Sequence, residues 1–316
     1  MTEVSKMRFS RWGRSEYDTD HLLQTEARLL STLVHPTQPR QDAEIIGINS
    51  KLRITPEILS QCPSLRLVIT TTSGYDHIDL GLLRSREISA VRLPMPRRDA
   101  VCDTSLGMII QGFRQSGVFR TAASNDVWGR ALLSEMAMRT ISGAVIGVVG
   151  TGVIGTRMCE VLRLLGAKIL ACDPSGVPEG VEEATIAEMM ARCDAVSLHC
   201  HAQPNGAPII DGSTLRSARP GLVLVNTARG SLVDLQAAVY ALDRGILGAL
   251  MVDVFTTEPW GDLAASVDRA NLVYTPHAAG YHDRLCDMIR DDLYRVIRAF
   301  IHSGPLPWDL MTPNRA

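Results

Sequence analysis

The chain has 316 residues, 46% hydrophobic and 21% charged, with 32 Lys and Arg against 34 Asp and Glu and a net charge of −2. That length fits about two domains of ordinary globular composition. The near-balanced charge offers no field to attract nucleic acid or an anionic membrane, no apolar run approaches the roughly 20 residues that span a bilayer, and the opening MTEVSKMRFSRWG lacks the apolar segment of a secretion leader.

A first strand is expected over 6–12. Leu22, Leu23, Leu29, Leu30 and Leu33 recur with near-helical spacing and predict a helix over 19–34. Ile45 to Ile48 is a short apolar strand. Thr55 as cap and Pro56 as first helical residue open a helix that ends near Cys62-Pro63. Leu65 to Thr71 reads as a strand running into Thr72-Ser73-Gly74-Tyr75-Asp76, residues 79–86 as a helix, Ile88 to Leu93 as a strand, and Pro94-Met95-Pro96 as a break. This alternation describes a small parallel-sheet domain. A long helix is expected from Val101 to about Phe119. Residues 121–143, with Trp128, Met136 and Met138, read equally well as an arm or interface and as ordinary core.

The apolar strand Ala144 to Val149 then ends in Gly150-Thr151-Gly152-Val153-Ile154-Gly155, a G-x-G-x-x-G. A helix closed by Gly166 follows, with Met158, Val161, Leu162 and Leu165 at helical spacing. A second strand, Lys168 to Cys172, delivers Asp173. Such a strand–turn–helix–strand unit binds a dinucleotide: Gly150 permits the tight turn, Gly152 lets the backbone approach a pyrophosphate, and Gly155 lets helix and strand pack closely. The helix N-terminus offers N–H groups and positive dipole to the phosphates. Asp173 accepts hydrogen bonds from the adenosine ribose and repels a 2′-phosphate, which favours NAD over NADP.

Alternation continues with helix 185–192, strand Ala195 to Cys200, helix 213–218, strand Leu222 to Asn226, helix 234–244, strand Ala249 to Val254, strand Leu272 to Thr275 and a final helix over 282–303. The middle of the chain is therefore a doubly wound parallel sheet. Ligands of such sheets sit beyond the carboxyl ends of the strands. Three groups fall there: Asn226-Thr227-Ala228-Arg229-Gly230, Asp253-Val254-Phe255-Thr256-Thr257-Glu258-Pro259 and Thr275-Pro276-His277-Ala278-Ala279-Gly280. An Arg, a Glu and a His thus share the sheet edge of the glycine turn. His199 and His201 face one side of their strand, but no third metal ligand accompanies them and the structural reading is preferred. The seven cysteines form no C-x-x-C pair, as expected of reduced thiols in a cytoplasmic protein.

With GTGVIG at 150–155, Asp173-Pro174, NTARG at 226–230, DVFTTEP at 253–259, TPHAAG at 275–280 and SGYDHID at 73–79, the sequence resembles the D-isomer-specific 2-hydroxyacid dehydrogenase family. The resemblance implies an α/β protein of two doubly wound parallel-sheet domains. A Rossmann dinucleotide-binding domain (104–282) would be inserted in a flavodoxin-like substrate domain (1–103, completed by 283–316), with the active site in the cleft between them and a homodimer as the assembly. It implies a 2-hydroxy acid or 2-keto acid as substrate and NAD as cofactor. Arg229 would hold the substrate carboxylate in a forked, always-charged contact. His277 would act as acid and base, and Glu258 would accept its other N–H and fix the ring. Gly150, Gly152, Val153, Ile154, Gly155, Asp173, Thr227, Ala228 and Asp253 would line the cofactor, Asp253 at the nicotinamide carboxamide. Backbone N–H groups of Ser73 and Gly74 would share the substrate carboxylate with Arg229.

The chain departs from the family around the substrate. Thr72-Ser73-Gly74 stands where Gly-Val-Gly is usual, Arg92-Leu93-Pro94-Met95 where Asn-Thr-Pro-Gly is frequent, Asp103 replaces a usual Glu, and His201 replaces a usual proline. Arg97 or Arg98 is a candidate contact for a second anionic group on the substrate, such as a carboxylate, phosphate or phosphonate. Glu258 argues against a formate dehydrogenase, which carries Gln there. Ser73 stands where phosphite dehydrogenases carry a lysine, an alternative kept beside a non-catalytic NAD(H)-sensing interaction protein.

Overall fold

In a computed structural model, the structure describes residues 6–36, 40–125, 136–202, 206–259 and 269–311, with the single positions 128, 130 and 133. The elements run β1 (Arg8–Trp12), α1 (Asp20–Leu30), β2 (His35–Pro36), β3 (Ile45–Ile48), α2 (Pro56–Ser60), β4 (Leu67–Thr70), α3 (Leu80–Ser85) and β5 (Ser89–Arg92). They continue with α4 (Met95–Phe113), α5 (Ser116–Ser124), β6 (Val145–Val149), α6 (Val153–Leu164), β7 (Lys168–Cys172), β8 (Glu182–Glu183) and α7 (Ile186–Arg192). Then come β9 (Ala195–Leu198), α8 (Gly212–Arg216), β10 (Leu222–Asn226), α9 (Leu235–Asp243), β11 (Leu247–Val252), β12 (Leu272–Tyr274) and α10 (Leu285–Ile301).

The chain divides into two compact units, Met1–Arg97 with His282–Arg315, and Arg98–Tyr281. The first holds a five-stranded sheet in the order β2-β1-β3-β4-β5, all parallel. Its strands alternate across two cores. Ile45, Leu67, Ile69 and Val91 meet Leu285, Ile289, Leu293, Val296 and Ile297 of α10 on one face. Ile46, Ile48, Val68 and Ala90 meet Leu59 and Leu83 on the other. Both ends of the chain therefore build this unit. Its helices start where side chains accept from the first-turn N–H groups: Thr19 from Leu22, Thr55 from Ile58, Asp79 from Leu82.

The second unit holds a seven-stranded parallel sheet in the order β12-β11-β10-β9-β6-β7-β8. α4 and α6 cover one face through Cys102, Met108, Ile109, Phe113, Met158, Cys159 and Leu162. α7, α8 and α9 cover the other through Met189, Met190, Leu215, Ala238 and Ala241. Strand order reverses beside β6, so the turn after β6 lies at the switch point where such sheets bind ligands.

The expected break at Pro94-Met95-Pro96 is instead the first turn of α4. A first-turn proline gives up an N–H that has no helical partner, and its fixed φ suits the helix. The expected single helix to Phe119 is two, because Gln115 adopts φ +49 between them. The division between units falls at Arg97/Arg98, inside α4, whereas the sequence reading put the boundary after Asp103. Trp128 is 86% exposed, and Leu165, the last of the residues at helical spacing, is exposed at the C-cap of α6. Residues 126, 127, 129, 131, 132, 134 and 135 of the stretch read as an arm, an interface or ordinary core lie outside the described residues.

Candidate active site

The glycine turn is built as its spacing requires. Gly150 sits at φ +89, and a Cβ there would lie 2.6 Å from the Cys200 backbone nitrogen. A Cβ on Gly155 would lie 1.8 Å from the Gly150 carbonyl oxygen, so only hydrogen lets α6 seat against the turn. At Gly152 a Cβ would meet nothing within 4 Å. That open space lies at the start of α6, where Gly152 is the N-cap and no side chain caps the helix. Val153 and Ile154 open the helix behind it. These residues fit a pyrophosphate.

Asp173 follows β7 and closes the turn. Its Oδ2 accepts from Thr151 N–H at 2.7 Å and its Oδ1 from Ser175 N–H at 2.8 Å, while Thr151 Oγ1 donates to the Gly176 carbonyl at 2.9 Å. The acid thus shapes the turn in addition to the ribose contact expected of it.

The loops after β10, β11 and β12 are laced together. Asn226 Nδ2 donates to the Arg229 carbonyl at 2.8 Å and Asn226 Oδ1 accepts from Ala228 N–H at 3.1 Å. Asp253 N–H donates to the Asn226 carbonyl at 2.9 Å, and His277 N–H to the Asp253 carbonyl at 2.8 Å. Gly230 lies so close to the next loop that a Cβ would sit 2.0 Å from the Phe255 carbonyl carbon. Ser105 Oγ donates to the Val101 carbonyl at 2.8 Å, so in its 2.8 Å contact with Thr227 Oγ1 the threonine is the donor. Ala228 carries the carbonyl that accepts from Arg229 Nη1 at 2.7 Å.

Asp253 is 1% exposed. Its Oδ1 accepts from Thr275 Oγ1 at 2.5 Å and Ala278 N–H at 2.8 Å, and its Oδ2 from Ala279 N–H at 3.1 Å. Burial pushes this carboxyl up from the usual range, and the bonds from Thr275, Ala279 and Ala278 oppose that rise. The carboxylate folds the turn in which His277 takes φ +55, a left-handed conformation costly for a non-glycine residue. His277 Nδ1 lies 2.8 Å from Glu258 Oε2, and Glu258 Oε1 accepts from Phe255 N–H at 3.0 Å. An ionised carboxylate only accepts, so Nδ1 carries the proton toward Glu258 and Nε2 is left for other chemistry. The Glu258-Pro259 bond is cis.

Of the predicted residues, Glu258 and His277 are in direct contact, and Arg229 stands on the adjoining loop of the same sheet edge. Gly230, Thr275 and Ser105 went unread as separate parts of the site. Gly230 had a signal, a glycine directly after a strand-end motif. Thr275 stands in the TPHAAG group without a role of its own, and Ser105 has no signal, since its partner Thr227 comes from a distant segment. His199 Nε2 bonds Ser197 Oγ at 2.9 Å, and burial pushes its pKa down to about 4. Among the described residues no group of three His, Cys, Asp or Glu side chains could hold a metal ion, and no helix is long and apolar enough to cross a membrane.

In the first unit, Ser73 and Gly74 lie in the loop after β4, where Ser73 Oγ donates to the Pro94 carbonyl at 3.3 Å. Arg97 donates to the Thr71 carbonyl at 2.5 Å, bonds the Tyr17 hydroxyl and lies over the Tyr17 ring. In the second unit, Arg98 makes a two-pronged pair with Asp99 at 3.0 and 2.9 Å. Arg97 thus bonds two neutral acceptors of its own unit, and Arg98 pairs with a half-exposed carboxylate.

Residues 106–279 match the family described as D-isomer specific 2-hydroxyacid dehydrogenase, NAD binding domain. The chain belongs to this family. Its cofactor is NAD. Among relatives of these dehydrogenases, the chain is 29% identical over 262 residues to a D-3-phosphoglycerate dehydrogenase of Mycobacterium tuberculosis, covering 81% of this chain and 49% of that protein. The chain thus spans about half the length of the phosphoglycerate dehydrogenases it matches. It is 27% identical over 270 residues to a glycerate dehydrogenase of Methylorubrum extorquens, covering 84% and 85% of the two chains. In fold it is similar to the crystal structure of a glyoxylate reductase from Paecilomyes thermophila, with a TM-score of 0.83 at 22% identity over 96% of this chain and 98% of that one.

Proposed function

We propose that this chain interconverts a D-2-hydroxy acid and its 2-keto acid with NAD(H), acting in the cytoplasm as a homodimer. The observation that carries the reading is the 2.8 Å contact between His277 Nδ1 and Glu258 Oε2 on the sheet edge of the glycine turn. Bound NAD(H) supplies or accepts the hydride. Arg229 holds the substrate carboxylate and polarises the neighbouring carbonyl. In reduction His277 Nε2 donates a proton to the carbonyl oxygen, and in oxidation it takes that proton back. Glu258 fixes the ring through Nδ1. Asp253 is assigned to the nicotinamide carboxamide, and the Ser73 and Gly74 N–H groups to the substrate carboxylate.

The test is NADH oxidation across a panel of 2-keto acids that includes dicarboxylates and phosphonates. At least one acid is expected to be reduced, with turnover by His277→Ala lower by about 10²–10⁴-fold. Full activity in that variant would remove His277 from the chemistry. NADH binding with no turnover of any acid would overturn the enzymatic reading in favour of an NAD(H)-sensing interaction protein.

A further inference from the structure

The loop between β4 and α3 is held from two sides. On one side its own side chains form a directed chain of hydrogen bonds. Thr72 Oγ1 donates to the Gly74 carbonyl at 2.7 Å, so its 2.7 Å contact with Thr70 Oγ1 uses the Thr70 proton, and Thr70 accepts from His77 Nε2 at 3.0 Å. On the other side the end of β5 grips the backbone. Leu93 N–H is shared by the Thr70 and Thr72 carbonyls at 3.1 and 3.3 Å. Arg92 Nη1 donates to the Ser73 carbonyl at 3.1 Å, and its guanidinium lies 5.6 Å from the centre of the Tyr75 ring.

A trans peptide sets the N–H of one residue opposite the carbonyl of the residue before it. The Thr72 and Ser73 carbonyls are both drawn to the end of β5, so the Ser73 and Gly74 N–H groups both turn away from it. Two successive N–H groups on one side form an anion-binding concavity. The Ser73–Gly74 peptide is polarised further by the guanidinium on its oxygen. Burial lowers the Arg92 pKa, yet a guanidinium starts so high that it stays charged at working pH.

We propose that Arg92 is a positioning residue for a carboxylate site: it aims and polarises the Ser73–Gly74 peptide so that its N–H, with that of Ser73, receives the carboxylate of a 2-keto acid. This rests on the function proposed above and extends it to a residue where the chain departs from its family. It also gives the unusual Arg92-Leu93 pair a job, since side chain and backbone of these two residues hold consecutive carbonyls.

The experiment compares wild type, Arg92→Met and Arg92→Gln by steady-state kinetics on a reducible 2-keto acid and by oxamate titration of the NADH complex. Arg92→Met is expected to raise KM and the oxamate Kd by about tenfold or more, the usual scale for losing a hydrogen bond to a charged group. Its kcat should stay within about twofold and its NADH affinity should be unchanged, a split that general misfolding would not produce. Arg92→Gln keeps a donor for the Ser73 carbonyl and should recover part of the loss; it carries the same readout if the Met variant fails to fold. Wild-type KM and oxamate Kd in either variant would overturn the proposal while leaving the function intact. Arg92-dependent oxamate binding by a protein that reduces no keto acid would overturn the function and support the anion site. No oxamate binding by the wild type would overturn the site.

Discussion

Asp253 and His199 show how burial sets what a single ionisable residue does. Asp253 accepts from three donors in the turn it folds, so its first effect is to hold His277 in a backbone conformation the residue would otherwise avoid. His199 is half-buried beside one hydroxyl, and desolvation brings its pKa to about 4 from an unfolded value near 6.5. The sign follows directly. Between pH 6.5 and 4 the unfolded chain binds the proton and the folded chain does not, so stability rises with pH across that window. His199 should thus contribute in full above about pH 6.5 and lose up to about 3 kcal/mol as pH falls toward 4. Urea unfolding of wild type and His199→Gln from pH 7.5 to 4.5 checks this. The variant's stability relative to wild type should improve on acidification, and a gap independent of pH would show that His199 is not held neutral.

At the scale of elements, the glycine turn makes a prediction with two arms. Gly152→Ala places a methyl where no protein atom lies within 4 Å, so the fold should be undisturbed and NADH binding lost. Gly155→Ala drives a methyl to within 1.8 Å of the Gly150 carbonyl oxygen, so it should lower stability by about 1–3 kcal/mol as well as affinity. Fluorescence titration with NADH beside thermal melts separates the two. Normal NADH affinity in Gly152→Ala would deny that this space takes the pyrophosphate. The elements behind these sites differ in how far they could be read from the chain. β3, β7 and β10 match their apolar runs to the residue, because a buried parallel strand is a bounded block of such residues. α4 departs from its sequence pattern at both ends. Pro96 in a first turn looks identical to a helix breaker, and Gln115 turns left-handed with none of the glycine or asparagine that usually marks such a position. The two-residue edge strands β2 and β8 are too short to carry a period. The motif residues were legible because they follow strands directly. Their supports Ser105 and Arg92 were not, because each acts on a segment that only folding brings near.

Across the whole molecule, each unit has its own sheet and its own pair of cores, and the residues assigned to the dinucleotide all belong to Arg98–Tyr281. Cofactor binding is then linked to the stability of that unit. A ligand at about 100 times its Kd adds about 2.7 kcal/mol. For a unit of this size that corresponds to a rise of about 5–10 °C in Tm. NADH at that level should produce such a shift in the full chain. NADPH at equal concentration should produce much less, because its 2′-phosphate would meet the Asp173 carboxylate, which Thr151 and Ser175 N–H groups hold in place at 2.7 and 2.8 Å. The anchoring matters to the outcome: a carboxylate free to rotate could yield to the phosphate, whereas one bonded through both oxygens must break its bonds to Thr151 and Ser175 to move. Equal shifts with the two cofactors would mean that Asp173 shapes the turn without choosing between them, and Asp173→Asn would then leave the ratio of the two shifts unchanged.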